Sequence, residues 1–196
     1  MTISAQQLEA AFNAFDTANA KDPNQEIWEG QTFPKELIYG QRMSACLDEF
    51  APEASPALQL AARCQHICRW EIPRSEYPMD RKGYHAWRNA LKVFHGEKAG
   101  GILTDLKFPS EIIERVKFLL SKKKFKQNEE SQILEDVICL VFLQYYFLPF
   151  ADQHEDEKVI SILQKTWRKM SATGQGAALQ LTLPEKAMAL ITKALS

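Results

Sequence analysis

Apolar residues recur along this chain at steps of three and four, a rhythm that predicts one helix after another. Ser4 and Gln7 form a capping box ahead of Leu8, Ala11, Phe12 and Phe15, so a first helix is expected to about residue 20. Residues 21–33 lack the rhythm and read as a loop. Pro34 suits the first turn of a second helix to about residue 50, with Leu37, Ile38, Cys46, Leu47 and Phe50 on its apolar side. A third helix is expected over 56–70, after Pro52 and Pro56. A fourth, over 80–98, places Tyr84, Arg88, Leu91 and His95 on one stripe before Gly100 and Gly101 interrupt it.

Pro109 and Ser110 open a helix with a buried stripe of Ile112, Ile113, Val116, Leu119 and Leu120, ending at the basic turn SKKKFK. The next begins at Ser131 and is apolar nearly all round, the mark of a central position among other helices. Amphipathic helices over 155–170 and 184–195 complete the set, and residues 179–183 allow at most a short edge strand. The expected fold is therefore all-α: one globular domain over residues 1–196, of about eight helices.

Composition adds boundaries. Apolar residues make up 45% of the 196 positions, ample for a packed core. The formal charge is -1, so no global field indicates nucleic acid, and electrostatic recognition must be local. The apolar run over 137–150 is broken by Gln144 and Pro149 and falls short of the roughly 20 residues a membrane span needs, so no membrane is expected. MTISAQQLEAAF lacks a basic segment followed by an apolar one, so no secretory signal is expected. Cys46, Cys64, Cys68 and Cys139 sit in helical patterns without a CxxC pair, which favours reduced thiols and a cytoplasmic location.

Candidate chemistry concentrates between Leu58 and Arg88. In AARCQHICRW, helical spacing projects Arg63, His66 and Trp70 toward one point. A neutral imidazole ligates metals or moves protons near neutral pH, although a buried histidine held by a hydrogen bond is an equally ordinary reading. Glu135 and Asp136 are the carboxylates to pair with His66 for catalysis, unless they serve only the dipole of their helix. His66, Asp136 and Glu36 together would make an oxygen-rich site for a divalent metal such as Mn or Mg. Arg63, Arg69, Arg74 and Arg88, with Tyr77 and Tyr84, suit an anionic small molecule, because planar guanidinium groups grip phosphate or carboxylate with two bonds. Surface salt bridges are the plainer account of the same arginines. Arg74 and Tyr77 fall in EIPRSEYPMD, where Pro73 and Pro78 stiffen the backbone.

The strings ELIYGQRMS, LAARCQHICRW, PRSEYP, GYHAWR, LEDVICLVFL and KTWRKMS resemble those of the uncharacterised domain-of-unknown-function family 4202, over nearly the whole chain. The resemblance implies a helical fold and no particular activity. It places Gln65, His66, Arg69, Trp70, Arg74, Tyr84, Trp87, Arg88, Glu135 and Asp136 in the family's characteristic strings. In order of parts the chain is also similar to the HD-domain phosphohydrolases, metal-dependent helical enzymes that cleave phosphate esters. It departs from them where Ile67 follows Gln65 and His66, so the metal-bridging aspartate is missing, and where Tyr39 and Gln41 replace the first histidine. The similarity implies a hydrolase acting on a phosphorylated or nucleotide substrate. The alternative is a non-enzymatic helical module that binds an anionic ligand or a protein partner.

Overall fold

A computed structural model describes residues 3–123 and 125–195. Among them are ten α-helices and one small hairpin, in accord with an all-α domain. The capping box forms as expected: the Gln7 amide donates to Ser4 Oγ at 3.2 Å, and Gln7 Oε1 accepts from the Ser4 amide at 3.0 Å, opening α1 (Ala5–Asn19). The stretch read as a loop contains β1 (Gln25–Trp28) and β2 (Gln31–Pro34), paired antiparallel. Glu29 and Gly30 join them, both with positive φ, the backbone of a tight two-residue turn whose twist matches the strands. The strands expose most of their residues, so no alternation of apolar and polar positions announces them.

Then come α2 (Lys35–Phe50) and α3 (Pro56–Arg63), the latter opened by the Ser55 side chain. Against expectation, α3 stops seven residues before Trp70. Cys64 to Cys68 continue as tight turns, and Cys68 takes a left-handed conformation with φ 49°. The projected face of Arg63, His66 and Trp70 therefore does not exist. Asp80 caps α4 (Arg81–Asp105), which runs through Gly100 and Gly101 without a break. Gly100 lies where α4 packs against α5 (Ser110–Ser121), and a Cβ there would strike the Lys117 side chain. Packing of α4 along α5 outweighs the low helix propensity of glycine.

The central rod is α6 (Glu129–Val141), a wider π-helical turn (Phe142–Tyr146), and α7 (Phe147–Ala151). At 23 residues the rod is long and apolar enough to cross a membrane by length and composition, which corrects the shorter span read from the sequence. Half of its apolar window is buried within the fold, as for a core helix. Next are α8 (Asp156–Lys169), α9 (Ala172–Leu179), which the sequence reading missed, and α10 (Glu185–Leu195). The edge strand expected over 179–183 is absent, since α9 occupies its first residue and the rest is irregular.

Two apolar clusters meet along the rod. One joins α1 to α6 around Phe15, Met43, Leu60 and Leu119. The other gathers the C-terminal half of the rod with α8, α9 and α10 around Phe147, Leu163 and Ala187.

Candidate functional site

A cavity of about 1060 Å³ opens where the two clusters meet. Its walls come from the start of α2, the turns after α3, the first two turns of α4, the end of α5, the rod and α8. Eight of the side chains that line it are cationic (Lys35, Arg69, Arg81, Arg88, Lys122, Lys165, Arg168 and Lys169) and only two, Glu36 and Glu135, are acidic. That balance in a chain of net charge -1 is a local field of the kind that draws in anions.

Glu36 is buried in the first turn of α2 and faces His66, with Nδ1 and the carboxylate oxygen 3.2 Å apart. On the far side of the ring, Arg69 Nη1 lies 3.0 Å from Nε2. Guanidinium has no acceptor, so Nε2 must accept and the imidazole proton sits on Nδ1, donated to Glu36. Tyr39 stacks on the ring at 4.1 Å between centroids, and its hydroxyl donates to Gln65 Oε1 at 3.1 Å. Arg69 in turn lies over the Trp87 ring at 4.7 Å. Burial pushes the Glu36 carboxyl up to about 7, although Arg69 and Lys35 oppose the rise. Burial, then the cations Arg69, Lys122, Arg88 and Lys35, hold His66 well below its usual range, so it is neutral.

Two residues not singled out from the sequence build this arrangement. Asn19, buried at the end of α1, donates to the Glu36 carbonyl at 3.2 Å and accepts from the Cys68 amide at 2.9 Å, tying the start of α2 to the turn that carries His66. Buried Asp22 accepts from the Glu36 amide at 3.0 Å and caps the helix from outside. Both are small polar residues at a helix end, and only their tertiary partners distinguish them from ordinary loop residues.

Across the cavity, Glu135 is shared between two ammonium groups, Lys122 at 3.6 Å and Lys169 at 3.4 Å. Lys122 closes α5 in a left-handed conformation with φ 54° and was not among the sequence candidates, because it lies within a basic run that reads as a solvated helix end. Tyr84, Arg88 and His85 line the cavity from α4. His95, expected near a helix end, is instead buried inside α4, its ring 5.8 Å from His66. Burial pulls its pKa far down.

The other sequence candidates lie elsewhere. Arg63 grips Asp16 of α1 through two bonds, at 2.8 and 2.5 Å. Arg74 donates to the carbonyls of Tyr77, Pro78 and Asp80, clasping the proline-rich loop, and Tyr77 is part of that loop rather than of the cavity wall. Asp136 points to a different side of α6 from Glu135, away from the cavity, where it accepts from the Ser171 amide and hydroxyl at 2.8 and 2.6 Å and from Gln132 at 3.1 Å. It therefore anchors the start of α9 and does not meet His66.

A family model described as "Domain of unknown function (DUF4202)" matches residues 9–191. The chain belongs to the DUF4202 family. No curated protein and no solved structure matches it. Of the DUF4202 strings noted above, those holding His66, Arg69, Tyr84, Arg88 and Glu135 face the cavity, whereas Arg74 and Asp136 brace its surroundings. The divalent metal implied by the likeness to HD-domain enzymes does not fit these residues. Among the described residues no three His, Cys, Asp or Glu side chains converge, Asp136 is engaged with Ser171, and the His66 lone pair is directed at Arg69.

Proposed function

We propose that this DUF4202 protein binds a phosphorylated small molecule in the cavity and acts on it by proton transfer through Glu36 and His66. The observation that carries the reading is eight cations against two carboxylates on one concave surface. Arg69 and Arg88 present the planar donors that match phosphate, and Tyr84 offers an exposed ring beside them. A carboxyl that titrates near 7 next to a neutral imidazole is suited to general acid or base work at physiological pH. Hydrolysis of a phosphate ester, with Glu36 protonating the leaving oxygen, is one reaction this pair supports. The four unpaired cysteines agree with action in the cytoplasm. A binding role without catalysis is the second reading, favoured because both imidazole nitrogens already have partners.

The test is calorimetric titration with pyrophosphate and ATP, together with an assay for phosphate release. Arg69→Ala and Arg88→Ala should each weaken binding by about 1 to 3 kcal/mol, the range for charge-assisted bonds, while Arg74→Ala should lower stability and leave affinity unchanged. Absence of binding to the wild type would overturn the proposal, and binding with no turnover of any phosphate ester would favour the second reading.

A further inference from the structure

Lys122 occupies an unusual position for an ammonium group. Its side chain is only 15% exposed, on the cavity wall, whereas Lys169, the other partner of Glu135, is 51% exposed. One carboxylate balances one of these charges. Lys169 keeps most of its hydration, so Lys122 is the ammonium whose charge burial penalises. The charged groups around Lys122 are Glu135, Arg88 and Lys169, with the Cys139 thiol nearby, and burial with the two cations outweighs Glu135 to bring the amine down to about 8. The left-handed backbone at Lys122 is a costly conformation for a residue with a Cβ, and it turns the chain sharply at the end of α5 as the side chain enters the cavity.

We propose that Lys122 is a nucleophile that forms an imine with a phosphorylated aldehyde or ketone held in the cavity. The assignment rests on the phosphate-binding reading above and names the substrate class for it. The Nζ lone pair attacks the carbonyl carbon, forming the C–N bond while the C=O π pair moves to oxygen. Glu135 carries the first nitrogen proton to that oxygen. Loss of the second proton from nitrogen and departure of the oxygen as water leave the C=N bond, with no oxidant or reductant involved. A neutral amine is the form this attack requires, and neighbouring cations together with desolvation are the means of supplying one near neutral pH.

Pyridoxal 5′-phosphate is a suitable probe, a phosphorylated aldehyde whose imine is fixed by borohydride and located by peptide mass spectrometry. One adduct per wild-type chain is expected, on Lys122, forming at a rate that rises with pH around 8 rather than the 10.5 of an ordinary lysine. Yield should fall at least tenfold, or about 1.4 kcal/mol, with pyridoxal lacking the phosphate or with excess pyrophosphate. Lys122→Arg should abolish the adduct, and an unaltered helical circular dichroism spectrum and melting temperature would show that the variant is folded. Equal labelling of many lysines, or an unlabelled Lys122 in a wild-type protein that binds pyrophosphate, would overturn the imine and spare the phosphate site. Failure to bind pyrophosphate would overturn both.

Discussion

Protonation of Glu36 opposes that of its neighbours. The folded chain holds the Glu36 proton up to about pH 7, the unfolded chain releases it near 4.5, and so stability due to this group falls as pH rises across that window. The shift corresponds to about 3 kcal/mol of destabilisation above pH 7. His66 and His95 act in the other sense: unfolded, each takes a proton near 6.5, and folded, neither does, so their contribution is lost as pH drops below 6.5. Glu36→Gln should therefore be more stable than wild type at pH 8 and should lose stability more steeply between 6.5 and 4.5, as read by urea denaturation at a series of pH values. A Gln variant less stable at pH 8 would contradict the raised carboxyl. Asp136→Ala should instead lower stability by about 2 to 3 kcal/mol, through two orphaned donors at Ser171, with pyrophosphate affinity intact. Residue type and spacing pointed to His66, Arg69 and Arg88. They did not separate Glu135 from Asp136, because adjacent positions on a helix face about 100° apart and only the packing of α9 decides which one meets the cavity.

Helix starts were legible where the cap is local. Ser4 and Pro34 marked α1 and α2, and Pro56 marked α3. The end of α3 was not, because it is under tertiary control: the Cys68 amide is claimed by Asn19 from another helix, and the chain between turns tightly to bring His66 beside Glu36. Nor was α9 legible, since ATGQGAAL has almost no amphipathic rhythm and two glycines, and it is held by Ser171 and Asp136. At the opening of α4, a Cβ on Gly83 would run into the Pro78 carbonyl, and the Gly83 amide donates to the capping Asp80 at 2.6 Å. Gly83→Ala should force the proline loop off the helix and lower the melting temperature by several degrees, on the order of the 1 to 3 kcal/mol of an overpacked site. Because Tyr84 follows Gly83 directly and Arg88 lies little more than one turn further on, pyrophosphate binding should weaken as well. A variant that melts and binds like wild type would show that the loop yields without moving α4.

Charge is unevenly distributed over the whole molecule. The cavity takes eight of the 24 basic residues and two of the 25 acidic ones, leaving sixteen bases and 23 acids elsewhere. Association with a polyanion should therefore slow with added salt, although the chain is nearly neutral: stopped-flow rates should fall several-fold between low and physiological ionic strength, and a flat profile would argue against a cationic cavity. The cavity also lies at the joint of two separately packed cores, with cations of α2 and α4 on one wall and those of α8 on the other. When it is empty, like charges on both walls repel one another, which should make opening cheapest along this joint. An anion seated there would convert that repulsion into attraction on both sides at once and draw the two walls together. Amide exchange in α8, far in sequence from Arg69, should slow when pyrophosphate binds, together with exchange at the start of α4.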